Sequence, residues 1–197
     1  MPIRDNLKKG LELGITSTIN ILCSRGCLGN CHFCNANKYF SLGGGNKWCC
    51  RSPKSIVDEL EILLNKYGDN YNLHEVVNFC DLNFINTSSN GIKWVRDFVD
   101  EMLKRQIFCF FYILTRVDSV VNNKDLVKSL RQVGLVQVEM GLEVYNKGIE
   151  INQSYEAINF LRKQRIDITP CGFVTYHPYS NISELRNNAE FLKNKFL

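Results

Sequence analysis

Along the chain, short runs of apolar and β-branched residues alternate with longer segments in which apolar positions return every three or four residues. These are the periods of strands and of amphipathic helices. Residues 15–22 predict a first strand. A cysteine-bearing loop separates it from a helix opened by Ser52-Pro53, where the serine caps and the proline suits the first turn. That helix sets Ile56, Leu60, Leu63, Leu64 and Tyr67 at helical spacing and has Gly68 as its stop. Residues 74–79 predict the second strand, followed by a loop at Asn90-Gly91 and a helix carrying Trp94, Phe98, Met102 and Leu103. Residues 107–114 predict the third strand, with one helix holding Leu126, Leu130 and Val133. Residues 135–140 pair with a helix bearing Ala157, Ile158 and Leu161, and residues 166–175 pair with a closing helix at 183–196.

Five βα units in series, with no Pro-, Ser- or Gly-rich linker, predict an α/β fold with a parallel sheet: a partial (βα) barrel in a single domain over 1–197, with 1–13 as an amino-terminal extension. In such sheets the chemistry gathers beyond the carboxyl ends of the strands, so the loop after each strand is where functional residues are expected.

Composition narrows the class. With 45% hydrophobic and 22% charged residues in a chain of 197, the sequence is globular rather than disordered or fibrous. The longest apolar run, 107–114, is far short of the roughly 20 residues of a membrane-spanning helix. The amino terminus has mixed charge and no secretory pattern, so a cytoplasmic protein is expected, without a membrane partner. The net charge of +4 reads as a surplus spread along the chain, with small groups at Lys8-Lys9 and at Arg162, Lys163 and Arg165, and it does not call for nucleic acid. Nine cysteines change the picture more: in a reducing compartment, thiols at tight spacing hold metal or do redox work more often than they form disulfides.

Cys27, Cys31 and Cys34 stand in the loop after the first strand, with three residues and then two between them. Gly26 and Gly29 let the backbone turn tightly enough to aim three thiolates at one inorganic cluster. Three ligands for four irons leave one iron open to a small molecule. Two other readings stay open: a zinc site completed by Cys23 or His32, and an electron-transfer cluster whose fourth ligand is Cys23, Cys49 or Cys50. Cys80, Cys109 and Cys171 lie on or beside apolar strands and read as small buried hydrophobes.

The run Cys27-Leu28-Gly29-Asn30-Cys31-His32-Phe33-Cys34 resembles the signature of the radical S-adenosylmethionine (radical SAM) enzymes. The stretch at 51–60, Asp81-Leu82-Asn83-Phe84, Thr115-Arg116-Val117-Asp118 and Gly141-Leu142-Glu143 are similar, in order, to later motifs of the subgroup whose members often carry a cobalamin-binding domain. The resemblance implies that Cys27, Cys31 and Cys34 hold a 4Fe-4S cluster and that S-adenosylmethionine chelates its open iron. Reductive cleavage would then give a 5′-deoxyadenosyl radical that takes hydrogen from a small-molecule or peptide substrate, with an electron donor as partner.

By the same resemblance Asp81 meets the amine of SAM, Arg116 its carboxylate and Glu143 the ribose, while Phe33 packs against the adenine. The chain departs from the subgroup at Leu82 and at Val144-Tyr145. His177 is a candidate substrate contact, Gly43-Gly44-Gly45 reads as a turn and Cys49-Cys50 as loop packing. A sixth unit and a cobalamin domain are not seen, so cobalamin is not expected within this chain and a protein that completes the barrel is a possible partner. The alternative is a truncated, non-catalytic iron–sulfur or zinc module.

Overall fold

A computed structural model describes residues 5–14, 18–29, 31, 34–42, 47–67, 76–142, 151–171 and 180–196. The elements run α1 (Asp5–Glu12), β1 (Asn20–Ile21), β2 (Ser24–Gly26), α2 (Ala36–Ser41), β3 (Trp48–Cys50), α3 (Pro53–Tyr67), β4 (Val77–Phe79) and α4 (Ser89–Lys104). They continue as β5 (Phe111–Thr115), α5 (Val117–Asn122), α6 (Lys124–Gln132), β6 (Leu135–Gly141), α7 (Ile151–Lys163), β7 (Asp167–Cys171) and α8 (Ile182–Phe196). Strands β1, β4, β5, β6 and β7 form one parallel sheet in that order, while β2 and β3 make a separate antiparallel hairpin. Among the described residues the sheet stays open, with β1 and β7 at its edges. None of their helices is long and apolar enough to cross a membrane.

Strand parity decides which face is covered. Ile21, Phe79, Ile113 and Val138 share one register row and are fully or almost fully buried. Phe79 meets Phe98 of α4 and Phe111 of β5 edge to face at 5.6 and 5.2 Å, and Phe84 and Trp94 extend the same cluster. One residue away, the row Asn20, Asn78, Tyr112, Gln137 and Asp167 crosses all five strands on the opposite face. Its polar side chains are half-buried or exposed, so the helices cover one side and leave the other open.

The same parity corrects one expectation: Cys80 continues the polar face and is exposed, whereas Cys109 is buried as expected. Cys109 has its thiol pushed up to about 12 by burial. The Cys171 side chain lies outside the described residues.

Two helices differ from the sequence pattern. Asn90-Gly91 is the first turn of α4, not a loop before it, because Ser88 caps the helix by accepting from the Gly91 amide. A β-carbon on Gly91 would come within 2.5 Å of the Asn86 carbonyl oxygen, so this glycine serves close packing. After β5 there are two helices instead of one, separated at Asn123, whose φ of −133° and ψ of 44° depart from helical values. The amino-terminal extension contains α1, whose Leu7 is in the core.

Candidate active site

Cys27 follows β2, and Cys34 precedes α2, so the three-cysteine loop joins the hairpin to a short helix beyond the carboxyl end of β1. Cys27 and Cys31 are half-buried and Cys34 is exposed, and none of the three is in a disulfide. Each sulfur receives an N–H from a described residue. The Gly29 amide donates to Cys27 Sγ at 3.3 Å, Arg116 Nη1 to Cys31 Sγ at 3.0 Å and the Ala36 amide to Cys34 Sγ at 3.5 Å. Within the loop the Cys34 amide donates to the Cys31 carbonyl at 3.1 Å.

Two residues far away in sequence fix this loop. Asp81, at the end of β4, is 2% exposed, and its carboxylate accepts from the Cys23 amide at 3.2 Å and from both the amide and the hydroxyl of Ser24. Burial is the dominant influence and raises its pKa above the usual carboxyl range, against hydrogen bonds from Ser24 and Cys23 that pull it down. Arg116, at the end of β5, holds Asp118 through Nε and Nη2 at 2.8 Å each while Nη1 reaches Cys31. Its pKa stands above the ordinary arginine value, chiefly through Asp118.

Gly29 sits between these groups, because a β-carbon there would lie 2.5 Å from Arg116 Nη1 and 3.3 Å from Cys27 Sγ. Asp81 and Arg116 are thus both brought to the cysteine loop. Phe33, Glu143, His177 and Gly43-Gly44-Gly45 lie outside the described residues.

Cys23 is wholly buried in the core, and burial followed by the Asp81 charge raises its pKa well above the ordinary thiol value. Cys49 and Cys50 are not in a loop but on β3, paired with Arg25 and Ser24 of β2. The hairpin is anchored from below by Arg51: its amide donates to the Cys23 carbonyl at 2.9 Å, its Nη1 lies 2.6 Å from Glu59, and its carbonyl accepts from the Trp94 indole at 2.6 Å.

A cavity of about 200 Å³ opens beside the loop, lined by Gly29, Asn83, Asn86, Thr87, Arg116 and Asp118 among others. Asn83 of this lining belongs to a buried polar network that spacing did not reveal. Thr115 Oγ1 donates to Asn83 Oδ1 at 2.8 Å, and Asn83 Nδ2 reaches Ser119 Oγ at 3.4 Å. Thr115→Val removes the donor and leaves Asn83 short of one partner, so a loss of about 1–2 kcal/mol of unfolding free energy is expected, read as a lower urea midpoint at unchanged slope.

Among the described residues, no three His, Cys, Asp or Glu side chains are gathered as ligands of a single metal ion. The donor set fits a cluster held by thiolates all the same: three thiols outside any disulfide, each with an N–H on its sulfur and a guanidinium at the middle one.

An open parallel α/β sheet with a thiol loop at its carboxyl edge is the architecture of the SAM radical enzymes, and known proteins agree. No family model matches the chain. It is 32% identical over 153 residues to the anaerobic magnesium-protoporphyrin IX monomethyl ester cyclase of Cereibacter sphaeroides, spanning 73% of this chain and 23% of the cyclase. It is 24% identical over 179 residues to the hopanoid C-3 methylase of Methylococcus capsulatus, spanning 85% and 32%. The solved structure of OxsB, a cobalamin-dependent S-adenosylmethionine radical enzyme with aqua-cobalamin and S-adenosylmethionine bound, superposes with a TM-score of 0.72 at 22% identity over 89% of this chain and 26% of OxsB. The chain belongs to the radical SAM superfamily. It spans about a quarter of the length of the first relatives it matches.

Proposed function

We propose that Cys27, Cys31 and Cys34 hold a 4Fe-4S cluster and that the chain uses it to cleave S-adenosylmethionine reductively. The observation that supports this most is Arg116 bringing its guanidinium to 3.0 Å from Cys31 Sγ, because it joins the end of β5 to the three-cysteine loop expected to carry the cluster. When bound, cluster and SAM together supply one-electron cleavage of the sulfonium, giving methionine and a 5′-deoxyadenosyl radical that removes a hydrogen atom from substrate.

The chain's own groups bind and orient. In this reading Arg116 offers a fork of donors to the SAM carboxylate at the edge of the polar cavity, with Asp118 holding the guanidinium in place until then. Asp81 acts one step back from the amine it is expected to meet, by fixing Cys23 and Ser24 at the base of the loop. Phe33 and Glu143 keep their assigned contacts with adenine and ribose on the superfamily likeness alone. The substrate is a small molecule or peptide.

Anaerobic reconstitution with iron and sulfide, then SAM and dithionite with chromatography for 5′-deoxyadenosine, tests the reading. Product is expected from the wild type, with at least a hundredfold loss in Cys27→Ala, Cys31→Ala and Cys34→Ala and little change in Cys49→Ala or Cys50→Ala. A cluster that forms without 5′-deoxyadenosine, or product that survives loss of a loop cysteine, overturns it.

A further inference from the structure

A second and larger cavity, of about 720 Å³, opens between β3 and the first turns of α4. That is the size of a site for an organic molecule. Of its lining residues only Leu28 is shared with the cavity beside Arg116, so the two are separate sites that meet at the cysteine loop.

Both tryptophans of the chain, Trp48 and Trp94, line it. Trp94 is a fixed wall: it is 7% exposed, its ring stacks on Phe98 at 5.9 Å and its indole N–H is taken by the Arg51 carbonyl. Trp48 differs, because its Nε1 is buried and has no hydrogen-bond partner among the described residues. A donor stranded in this way is stabilised by any acceptor brought to it. Leu28, exposed, adds an apolar edge.

Charge selects the acceptor. Positions 13 to 57 hold five basic residues and not one Asp or Glu, while the other 152 residues hold 19 basic and 20 acidic side chains, so the surplus is gathered around the hairpin and not spread along the chain. In the cavity itself two lysines face one aspartate. Lys47 is exposed and takes part in no ion pair among the described residues. Lys93 is tied only to Asp97, at 2.6 Å, and an exposed pair of this kind exchanges readily for another anion.

We infer that this cavity binds a planar aromatic molecule bearing one anionic group, with its ring against the indoles and Leu28 and its anionic oxygen between Lys47 and the Trp48 N–H. Flat rings suit the faces of two indoles, and a cavity with one positive charge in excess suits one negative charge. Through Leu28 the seated ring touches the loop that carries Cys27 and Cys31. The inference does not rest on the proposed cluster, since none of its three ligands lines this cavity.

The test titrates the full, isotope-labelled chain with 2-naphthoate and follows by nuclear magnetic resonance the two indole N–H signals, one from each tryptophan. Both are expected to move on one saturation curve, that of Trp48 downfield as its N–H gains an acceptor. The cation 2-naphthylmethylammonium and the non-aromatic cyclohexanecarboxylate are expected to bind at least tenfold more weakly. Lys47→Gln/Lys93→Gln is expected to weaken 2-naphthoate about tenfold, and Lys104→Gln/Lys163→Gln, with the same change of net charge elsewhere, to leave it within twofold. Cys49 and Cys50 are exposed and line the cavity, so bound 2-naphthoate should slow their alkylation by iodoacetamide severalfold without slowing that of Cys80 on the open sheet face.

Unmoved indole signals, equal binding of the cation or of the non-aromatic anion, equal loss in the two double variants, or equal protection of Cys80 overturns the inference. Each of these leaves the proposed function standing, because that reading is tested by 5′-deoxyadenosine and not by this cavity.

Discussion

Asp81→Ala is expected to lose about 3 kcal/mol or more of unfolding free energy and, at temperatures where the variant is still folded, most of its bound iron. The carboxylate is 2% exposed and satisfies two buried backbone amides, those of Cys23 and Ser24, together with the Ser24 hydroxyl. Alanine leaves those donors without an acceptor in a region water does not reach, and each orphaned group costs about 1–3 kcal/mol. The hydroxyl can turn away; the amides cannot. Because Cys23 and Ser24 lead directly into the cysteine loop, the damage should reach the proposed cluster ligands and not only stability.

Asp81→Asn separates charge from hydrogen bonding, since the amide keeps one acceptor oxygen. The folded pKa of Asp81 is raised, mainly by burial, so its contribution is fully present below the unfolded value and is lost as pH rises through the folded one. The deficit of Asp81→Asn relative to wild type should therefore be larger at about pH 4 than at pH 7. Urea unfolding of both proteins at the two values, with iron counted per chain, checks the sign. Equal stability of wild type and Asp81→Ala would show that the carboxylate does not hold the loop.

The order of the units is legible in the sequence because it depends on local period. The helix opened by Ser52-Pro53 is found at Pro53–Tyr67, and the strand expected at 135–140 is found at Leu135–Gly141. The features that escape are those that depend on contacts across the chain. The β2–β3 hairpin is built from Ser-Arg-Gly and Trp-Cys-Cys, three residues each, too short for any alternation to register. The bonds from Cys23 and Ser24 to Asp81 escape too, because these partners lie 58 and 57 residues away and leave no trace in spacing; the family resemblance gives Asp81 only as a contact of the SAM amine.

Cys80 is a different kind of miss, because the signal is available. Val77 and Phe79 point into the core, and period two then places Cys80 on the other face. Among the site residues, the meeting of the cysteine loop with Arg116 is expected through a shared cofactor, and the structure adds a direct bond between guanidinium and thiol.

Gly26→Ala and Gly134→Ala should destabilise the chain to a similar extent, roughly 3 kcal/mol each, yet only the first should alter the cluster. Both glycines have φ in the region that side chains rarely adopt, +89° and +117°. In both a β-carbon would fall inside a backbone oxygen, 2.0 Å from Lys47 at the first and 1.9 Å from Cys109 at the second. Strain of this kind costs about 1–3 kcal/mol before any displacement is counted.

The effect on the cysteine loop differs with position. At Gly134 the overlap pushes apart the starts of β5 and β6, at the amino end of the sheet and away from the cysteines. At Gly26 it forces β2 from β3, and the residue displaced next is Cys27. Gly14→Ala supplies the baseline: its φ is +65° but nothing lies within 4 Å of the added carbon, so it should cost only about 1 kcal/mol. Iron content and the visible absorption of reconstituted protein, read at a urea concentration where all three variants remain folded, separate the cases. Gly134→Ala with a full cluster and Gly26→Ala without one would locate the sensitivity in the hairpin. Equal loss in both would mean that global stability, not the geometry of the β2–β3 pairing, governs whether the three thiols can close on iron.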